Sequence, residues 1–303
     1  MSEHRCGVIA IAGRPNVGKS TLLNRILGSK VAIVTPKPQT TRDRILGVRT
    51  DPGVQYLFHD TPGLHRPHKA LNRRMVAEAE AALADADVVL MVSDAATPAE
   101  AARIEGPVLA AVAGAGRPVV LAVNKIDLVR KGMAAMLPLI DHWSRAHPFA
   151  AIVPVCALSG DGVDRVLPEL RRLLPEGPAL YPEDELSDRP MRFIAAEVVR
   201  EKLMMATAQE IPYSTAVTID EFAEPEPPRA VRISATIHVE RESQKRIVVG
   251  RGGAVLRAVG TEARQELEAM LERKVMLKLF VKVSDAWTTT DEGLRRVGIS
   301  DES

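Results

Sequence analysis

The chain has 303 residues, enough for two domains of ordinary size with a core each. Its 46% hydrophobic and 26% charged residues exclude a disordered chain, and a formal net charge of +1 excludes a polycation, so any nucleic-acid contact must come from a local basic patch. Two cysteines, Cys6 and Cys156, exclude a disulfide framework and a cysteine-rich zinc site, and no apolar run approaches the ~20 residues of a membrane helix. That cysteine usage and the polar opening at 1–5 lead to the expectation of a reducing, cytoplasmic setting.

Residues 8–12 predict a buried strand, followed by the turn Gly13-Arg14-Pro15-Asn16-Val17-Gly18-Lys19-Ser20 and a helix over 21–27 that opens on Thr21. Segments 44–50 and 54–58 flank Asp51-Pro52-Gly53 and predict an antiparallel hairpin at a sheet edge. Predominantly apolar runs at 88–92, 119–123 and 152–155 read as strands buried on both faces, with helical patterns between, for example 71–83 and 164–174. Strand and helix in alternation predict a doubly wound, mostly parallel α/β domain over 1–175. A proline-rich, acidic stretch at 176–190 reads as a linker. Beyond it come a helix at 192–206, strands at 215–222 and 230–240, helices at 243–249 and 254–271, and a strand at 275–283. That is a small α+β domain over 191–303, with a helical tail at 288–297 ending at Gly298.

The turn at 13–20 fits G-x-x-x-x-G-K-[ST] in its required setting, strand before and helix after. Gly13 and Gly18 let backbone N–H groups face phosphate oxygens, and the helix N-terminus adds its positive end. Lys19 is placed for β and γ phosphates, and the Ser20 hydroxyl for Mg²⁺. Asn124-Lys125-Ile126-Asp127 directly follows the strand at 119–123 and decides the base. The Asp127 carboxylate can accept the N1–H and the amine of guanine together, a pair that adenine cannot supply. Asn124 would tie this loop to the phosphate loop, and Lys125 would pack on the base. Asp60-Thr61-Pro62-Gly63 follows the strand at 54–58, with Asp60 suited to Mg²⁺ and the Gly63 N–H to the γ-phosphate. In the polar loop around Pro36 and Pro38, Thr41 is the preferred further ligand, with Thr40 the alternative. His59, His65, His68, Cys6, Met204 and Met205 read as ordinary surface or core residues.

Together with Cys156-Ala157-Leu158-Ser159-Gly160, these segments resemble the motif set of the translation-factor-like GTPase superfamily over 8–165. The resemblance implies that Ala157 offers its N–H to guanine; serine is usual where Cys156 stands. In the second domain, Gly250-Arg251-Gly252-Gly253 lies between two helices and resembles the RNA-binding loop of a KH domain of type II arrangement. Lys245, Arg246, Arg251 and Arg257 gather around it, with Arg241, against Glu242 alone. A GTPase followed by a KH domain resembles the Era family, and Pro38-Gln39-Thr40-Thr41-Arg42, Arg200-Glu201-Lys202-Leu203, Ile211-Pro212-Tyr213-Ser214 and the Trp287 region strengthen the resemblance. It implies a monomeric cytoplasmic assembly factor that hydrolyses GTP. It also implies binding to small-subunit ribosomal RNA near its 3′ end, a role in assembling the small ribosomal subunit, and peripheral association with the inner membrane. Many relatives place a water-orienting glutamine where Leu64 stands, and slow turnover is therefore expected. The resemblance further implies that Asn16 can help hold K⁺. Two other readings compete: a GTP-gated protein or membrane switch without RNA binding, and an enzyme coupling GTP to a second reaction. The second finds no nucleophile or acid–base pair in 190–303.

Overall fold

A computed structural model describes residues 4–63, 70–94, 97–129, 133–208 and 211–299. The chain divides into two compact units: the first lies within 1–188, and the second takes the chain from Arg189 on together with the short segments 35–37 and 70–73 among the described residues.

In the first unit the strands are β1 (Arg5–Ala12), β2 (Ile45–Asp51), β3 (Val54–Asp60), β4 (Val88–Ser93), β5 (Val119–Val123) and β6 (Ala151–Pro154). They form one sheet in the order β2-β3-β1-β4-β5-β6. Only the edge pair β2–β3 is antiparallel, the hairpin expected around Asp51-Pro52-Gly53. Helices α1 (Lys19–Leu27), α2 (Ala70–Asp85), α3 (Pro98–Ile104), α4 (Gly106–Gly114), α5 (Leu137–Ala146) and α6 (Val166–Leu173) complete it. Every residue of β4 and β5 is buried, which is why those segments lack a period-two pattern. One core packs Ala10, Ala12, Val89, Met91, Leu121 and Val123 with Leu139 and Trp143 of α5. Each of the valine, leucine and methionine side chains contributes about 1.5–3 kcal/mol of burial. Parallel registers, with Ile11 opposite Asp60 and Leu90, bring the C-terminal ends of β1, β3, β4 and β5 to one sheet edge. Open α/β sheets gather their binding loops there.

The stretch 176–190 differs from a free tether. Through Ser187 it is bonded along the β2–β3 edge: Gln55 Oε1 accepts from Leu180 N (2.7 Å) and Tyr181 N (3.0 Å). Val48 N donates to Leu186 O at 2.9 Å, and Ser187 Oγ to Leu46 O at 2.7 Å. Its prolines prevent helix and strand, but an extended chain can still satisfy a sheet edge.

The second unit contains α7 (Met191–Ala206), β7 (Thr215–Ala223), β8 (Val231–Val239), α8 (Glu242–Val249), α9 (Ala254–Leu271), β9 (Val275–Val283) and α10 (Asp291–Arg296). Its sheet has the order β7-β8-β9, with β7–β8 antiparallel and β8–β9 parallel. Ala195, Val198, Val199 and Leu203 of α7 and Val259, Ala263 and Leu267 of α9 pack with Ile233, Ala235 and Ile237. The tail helix is shorter than the predicted 288–297. Thr288 is engaged with Glu240 (2.5 Å), and Thr290 caps α10 by accepting from Gly293 N (3.1 Å). Gly298, with φ 79°, closes it as expected.

Candidate functional site

The phosphate loop joins β1 to α1. Gly13 (φ 157°) and Gly18 (φ 100°) adopt backbone angles that favour glycine, and a Cβ on Gly13 would lie 2.5 Å from Val92 O. Lys19 is 6% exposed, and its Nζ donates to Gly13 O (3.1 Å) and Arg14 O (3.0 Å). Burial pulls its pKa down to about 8, against the opposing pull of Asp60 and Glu105. The Arg14 side chain turns away from the loop to Asp94 (2.7 Å) and buried Glu105 (3.1 Å), so only its backbone is left for a phosphate. Ser93 Oγ holds Glu105 at 2.8 Å. Val17 is fully buried and contributes its carbonyl. Thr21 lies beside Asn24, Ala157 and Leu158 along a cavity of about 340 Å³.

Three oxygens converge next to Lys19. Ser20 Oγ donates to Asp60 Oδ2 at 2.5 Å and lies 2.9 Å from Thr41 Oγ1, which is 3.3 Å from the same carboxylate oxygen. Thr41, the preferred ligand of the loop, is thus brought to the pair. Asp60 is fully buried, and its Oδ1 has no hydrogen-bond partner among the described residues. Burial pushes this carboxyl above the ordinary range, while Lys19 and the two hydroxyls pull it back. An orphaned carboxylate oxygen among hydroxyls is a hard-oxygen donor set, and it fits Mg²⁺. Gly63 lies flat on the loop: a Cβ there would sit 2.5 Å from Pro15 N. Thr61 spends its hydroxyl on Ile11 O (2.7 Å), which fixes this segment to β1. Pro62, between the two, is buried. Leu64, His65 and His68 lie outside the described residues.

Asn124 ties the base-side loops together. Its Nδ2 donates to Val17 O at 2.7 Å, and its Oδ1 accepts from Ala157 N at 2.9 Å. The Ala157 N–H, expected on the base, is therefore satisfied within the protein, as a buried amide must be. Lys125 holds Asn16 O (2.8 Å) and Asp94 (2.6 Å), with both Asn16 (φ 64°) and Lys125 (φ 63°) left-handed. Cys156 Sγ donates to Asp127 Oδ1 at 3.1 Å and so fixes one oxygen of that carboxylate. Leu158 is exposed, and its carbonyl, with that of Ala157, accepts from the Arg25 guanidinium. Sequence reading missed Asp94, Glu105, Arg25 and Gln55. Asp94 directly follows β4, the one positional signal among them.

In the second unit Gly250 (φ 73°), Gly252 (φ 60°) and Gly253 (φ 78°) form the turn between α8 and α9. A Cβ on Gly250 would lie 2.6 Å from Val255, whereas Gly252 and Gly253 face open space. Arg246, Arg251 and Arg257 are exposed and Lys245 half-buried, and none makes an ion pair among the described residues. Gln244 closes the start of α8 by accepting from Arg241 N (3.1 Å) and Glu240 N (2.8 Å).

A phosphate loop, a base-reading Asn-Lys-x-Asp segment and a hydroxyl–carboxylate cluster on this sheet define a P-loop GTPase, here followed by a KH domain. The profile of the family described as 50S ribosome-binding GTPase matches residues 8–125, and that of the KH domain residues 210–288. GTPase Era of Geobacter sp. (strain M21) is 48% identical over 300 residues, covering 98% of this chain and 99% of that one. GTPase Era of Syntrophus aciditrophicus is 45% identical, covering 98% and 96%. Two crystal structures, each with 41% identity and a TM-score of 0.90, cover 98% of this chain and 99% of their own. One is Aquifex aeolicus Era, in a substituted form, bound to GDP·AlF4⁻; the other is Era with MgGDPNP and nucleotides 1506–1542 of 16S ribosomal RNA. The chain belongs to the Era family of GTPases, and hydrolysis of GTP is its chemistry.

Proposed function

We propose that this protein is a GTP-gated factor that binds small-subunit ribosomal RNA near its 3′ end and assists assembly of the small subunit. The observation that carries the reading is the glycine turn at 250–253. Gly252 and Gly253, with positive φ and open space around them, leave its backbone open to a sugar-phosphate chain, and Lys245, Arg246, Arg251 and Arg257 leave positive charge around it uncompensated. The RNA-bound Era structure supports the choice of RNA.

In this reading residues 13–21 hold the phosphates, with Lys19 on the β and γ groups. Ser20, Thr41 and Asp60 hold Mg²⁺, which when bound neutralises charge developing on the phosphoryl oxygens. The Gly63 N–H faces the γ-phosphate, and Asn124, Lys125, Asp127 and residues 156–158 enclose the base. Water attacks the γ-phosphorus as its bond to the β-phosphate oxygen breaks in line, and Lys19 and the loop amides stabilise the charge that develops. Asn16 helps hold K⁺ beside the phosphates; equal turnover in sodium and potassium would remove that part. The domains run over 1–175 and 191–303. The protein acts as a cytoplasmic monomer that meets the inner membrane peripherally, in keeping with the finding that no described helix is long and apolar enough to span a membrane.

The test is affinity for a short RNA from the 3′ end of small-subunit ribosomal RNA, with a GTP analogue, with GDP, and in the Arg251→Asp/Gly252→Asp protein. Tight binding that favours the analogue and collapses in the double variant is expected. No binding in any state would overturn the reading and leave a GTPase with other partners.

A further inference from the structure

The helices α7 and α9 cover one face of the second sheet. Along β9 the residues alternate: Leu277, Leu279 and Val281 pack against the core, and Met276, Lys278, Phe280 and Lys282 point to the opposite face and are exposed. Phe280 is 56% exposed and Met276 51%. Phe280 is the one exposed aromatic residue among the described residues, in a chain with only 3% aromatics. Leaving its ring in water forgoes most of the burial a phenylalanine can gain.

Its surroundings are specific. The parallel register sets Ser234 opposite Lys278 and Thr236 opposite Phe280. Both are small, so neither of the residues directly opposite shields the ring. Lys278 and Lys282 flank it on the same face, and neither makes an ion pair among the described residues. Of the acids nearby, Glu221 pairs with Arg232 at 3.3 Å, and Asp220 accepts from Thr236 Oγ1 at 2.7 Å. β9 is also an edge strand. Lysines alone would guard such an edge against strand pairing, but a bare phenylalanine between them works against that purpose. A ring flanked by unpaired cations instead complements a single-stranded nucleic acid, whose bases stack on aromatic faces while its phosphates meet lysines.

The geometry points to the outward face of β9, centred on Phe280 with Lys278 and Lys282, as a base-stacking platform for single-stranded RNA. It is a contact separate from the glycine turn at 250–253, and it rests on the RNA-binding reading above. A turn of that kind grips about four nucleotides. The platform would engage further ones: Met276 to Phe280 spans about 13 Å of strand, room for about two stacked bases.

The experiment uses the full chain with GTP analogue and fluorescence anisotropy. The probes are a 12-nucleotide RNA with the 3′-terminal sequence of small-subunit ribosomal RNA, and its two 6-nucleotide halves. Phe280→Ala is expected to weaken binding of the 12-mer roughly tenfold, leave the tighter-binding half unchanged, and be rescued by Phe280→Trp. Lys278→Ala and Lys282→Ala are each expected to lower the salt dependence of 12-mer binding by roughly 0.7 in log–log slope. The site is exposed, so unchanged melting temperatures will accompany these effects. If the wild-type protein binds no probe, the RNA reading itself falls. If the wild type binds and Gly252→Asp abolishes binding, but Phe280→Ala leaves the 12-mer untouched, the platform is overturned. Unchanged 12-mer affinity with a Phe280-dependent shift in sedimentation would overturn it equally, in favour of self-association.

Discussion

Asn124 and Gly18 provide a sharp test of how the base-side and phosphate loops are joined. Asn124→Ala leaves Val17 O without its donor and Ala157 N without its acceptor, both buried. Each orphaned group costs about 1–3 kcal/mol, so a loss of about 2–6 kcal/mol is expected. For a unit of this size that lowers the melting temperature by about 4–24 °C. Gly18→Ala carries two separate costs. A left-handed backbone (φ 100°) opposes any side chain, at about 1–2 kcal/mol. The new Cβ also lands on the Asn124 side-chain nitrogen, and overpacking of this kind costs about 1–3 kcal/mol. Only the second cost disappears when Asn124 is already alanine. The double-mutant cycle should therefore show a coupling of about 1–3 kcal/mol, with Gly18→Ala cheaper in the Asn124→Ala background. Urea unfolding followed through Trp143, buried in the first unit, reads the effect, with Trp287, buried in the second, left in both backgrounds for comparison. Equal cost of Gly18→Ala in both backgrounds would refute the proposed wedge.

Three further outcomes are expected. Asp127→Asn should weaken GTP more than ~100-fold, because two charge-assisted hydrogen bonds of about 1.5–3 kcal/mol each are lost, and should improve XTP; unchanged GTP affinity by calorimetry would count against Asp127 as the base reader. Cys156→Ser should raise GDP affinity a few-fold and Cys156→Ala lower it about fivefold, since the thiol is a weak donor to Asp127; a fluorescent-GDP titration with Ala equal to Cys would sink this. His238, bonded to Thr218 (2.9 Å) and Ser284 (3.0 Å), has its pKa lowered by burial and then by Lys282. The unfolded chain thus takes the proton first, near pH 6.5, and the second unit should lose stability as pH falls below about 6.5. His238→Gln should flatten that dependence in pH-resolved melts.

The chemistry-bearing motifs were legible because each needs a fixed residue type at a fixed distance from a strand end. Ser20, Thr41 and Asp60 come together although 40 residues separate the first and last, because the register of β1 with β3 aligns their ends. What escaped was the scaffolding around them. Arg14 sits inside the motif, yet its charge is directed to Asp94 and Glu105, and no local pattern announces a partner that lies 80 residues away. The resemblance directs the Ala157 N–H to guanine, but no local pattern reveals its bond to Asn124. The segment 176–190 read as a tether from its prolines; its hydrogen bonds to β2 and β3 depend on a sheet edge that composition does not reveal. The alternation on β9 was visible, but which of its two faces is bare depends on where α7 and α9 pack.

The second unit also carries a practical lesson about where a domain begins and ends. The KH profile stops at residue 288 and starts at 210, yet Ala195, Val198, Val199 and Leu203 upstream help fill the hydrophobic interior. Downstream, Leu294 and Val297 are buried, and Gly293 abuts the Trp287 backbone. A recombinant fragment trimmed to the profile would expose an apolar sheet face and lose its closing helix, inviting aggregation. One running from Arg189 through Ile299 keeps both, and is the piece to express when RNA binding is to be measured apart from nucleotide turnover.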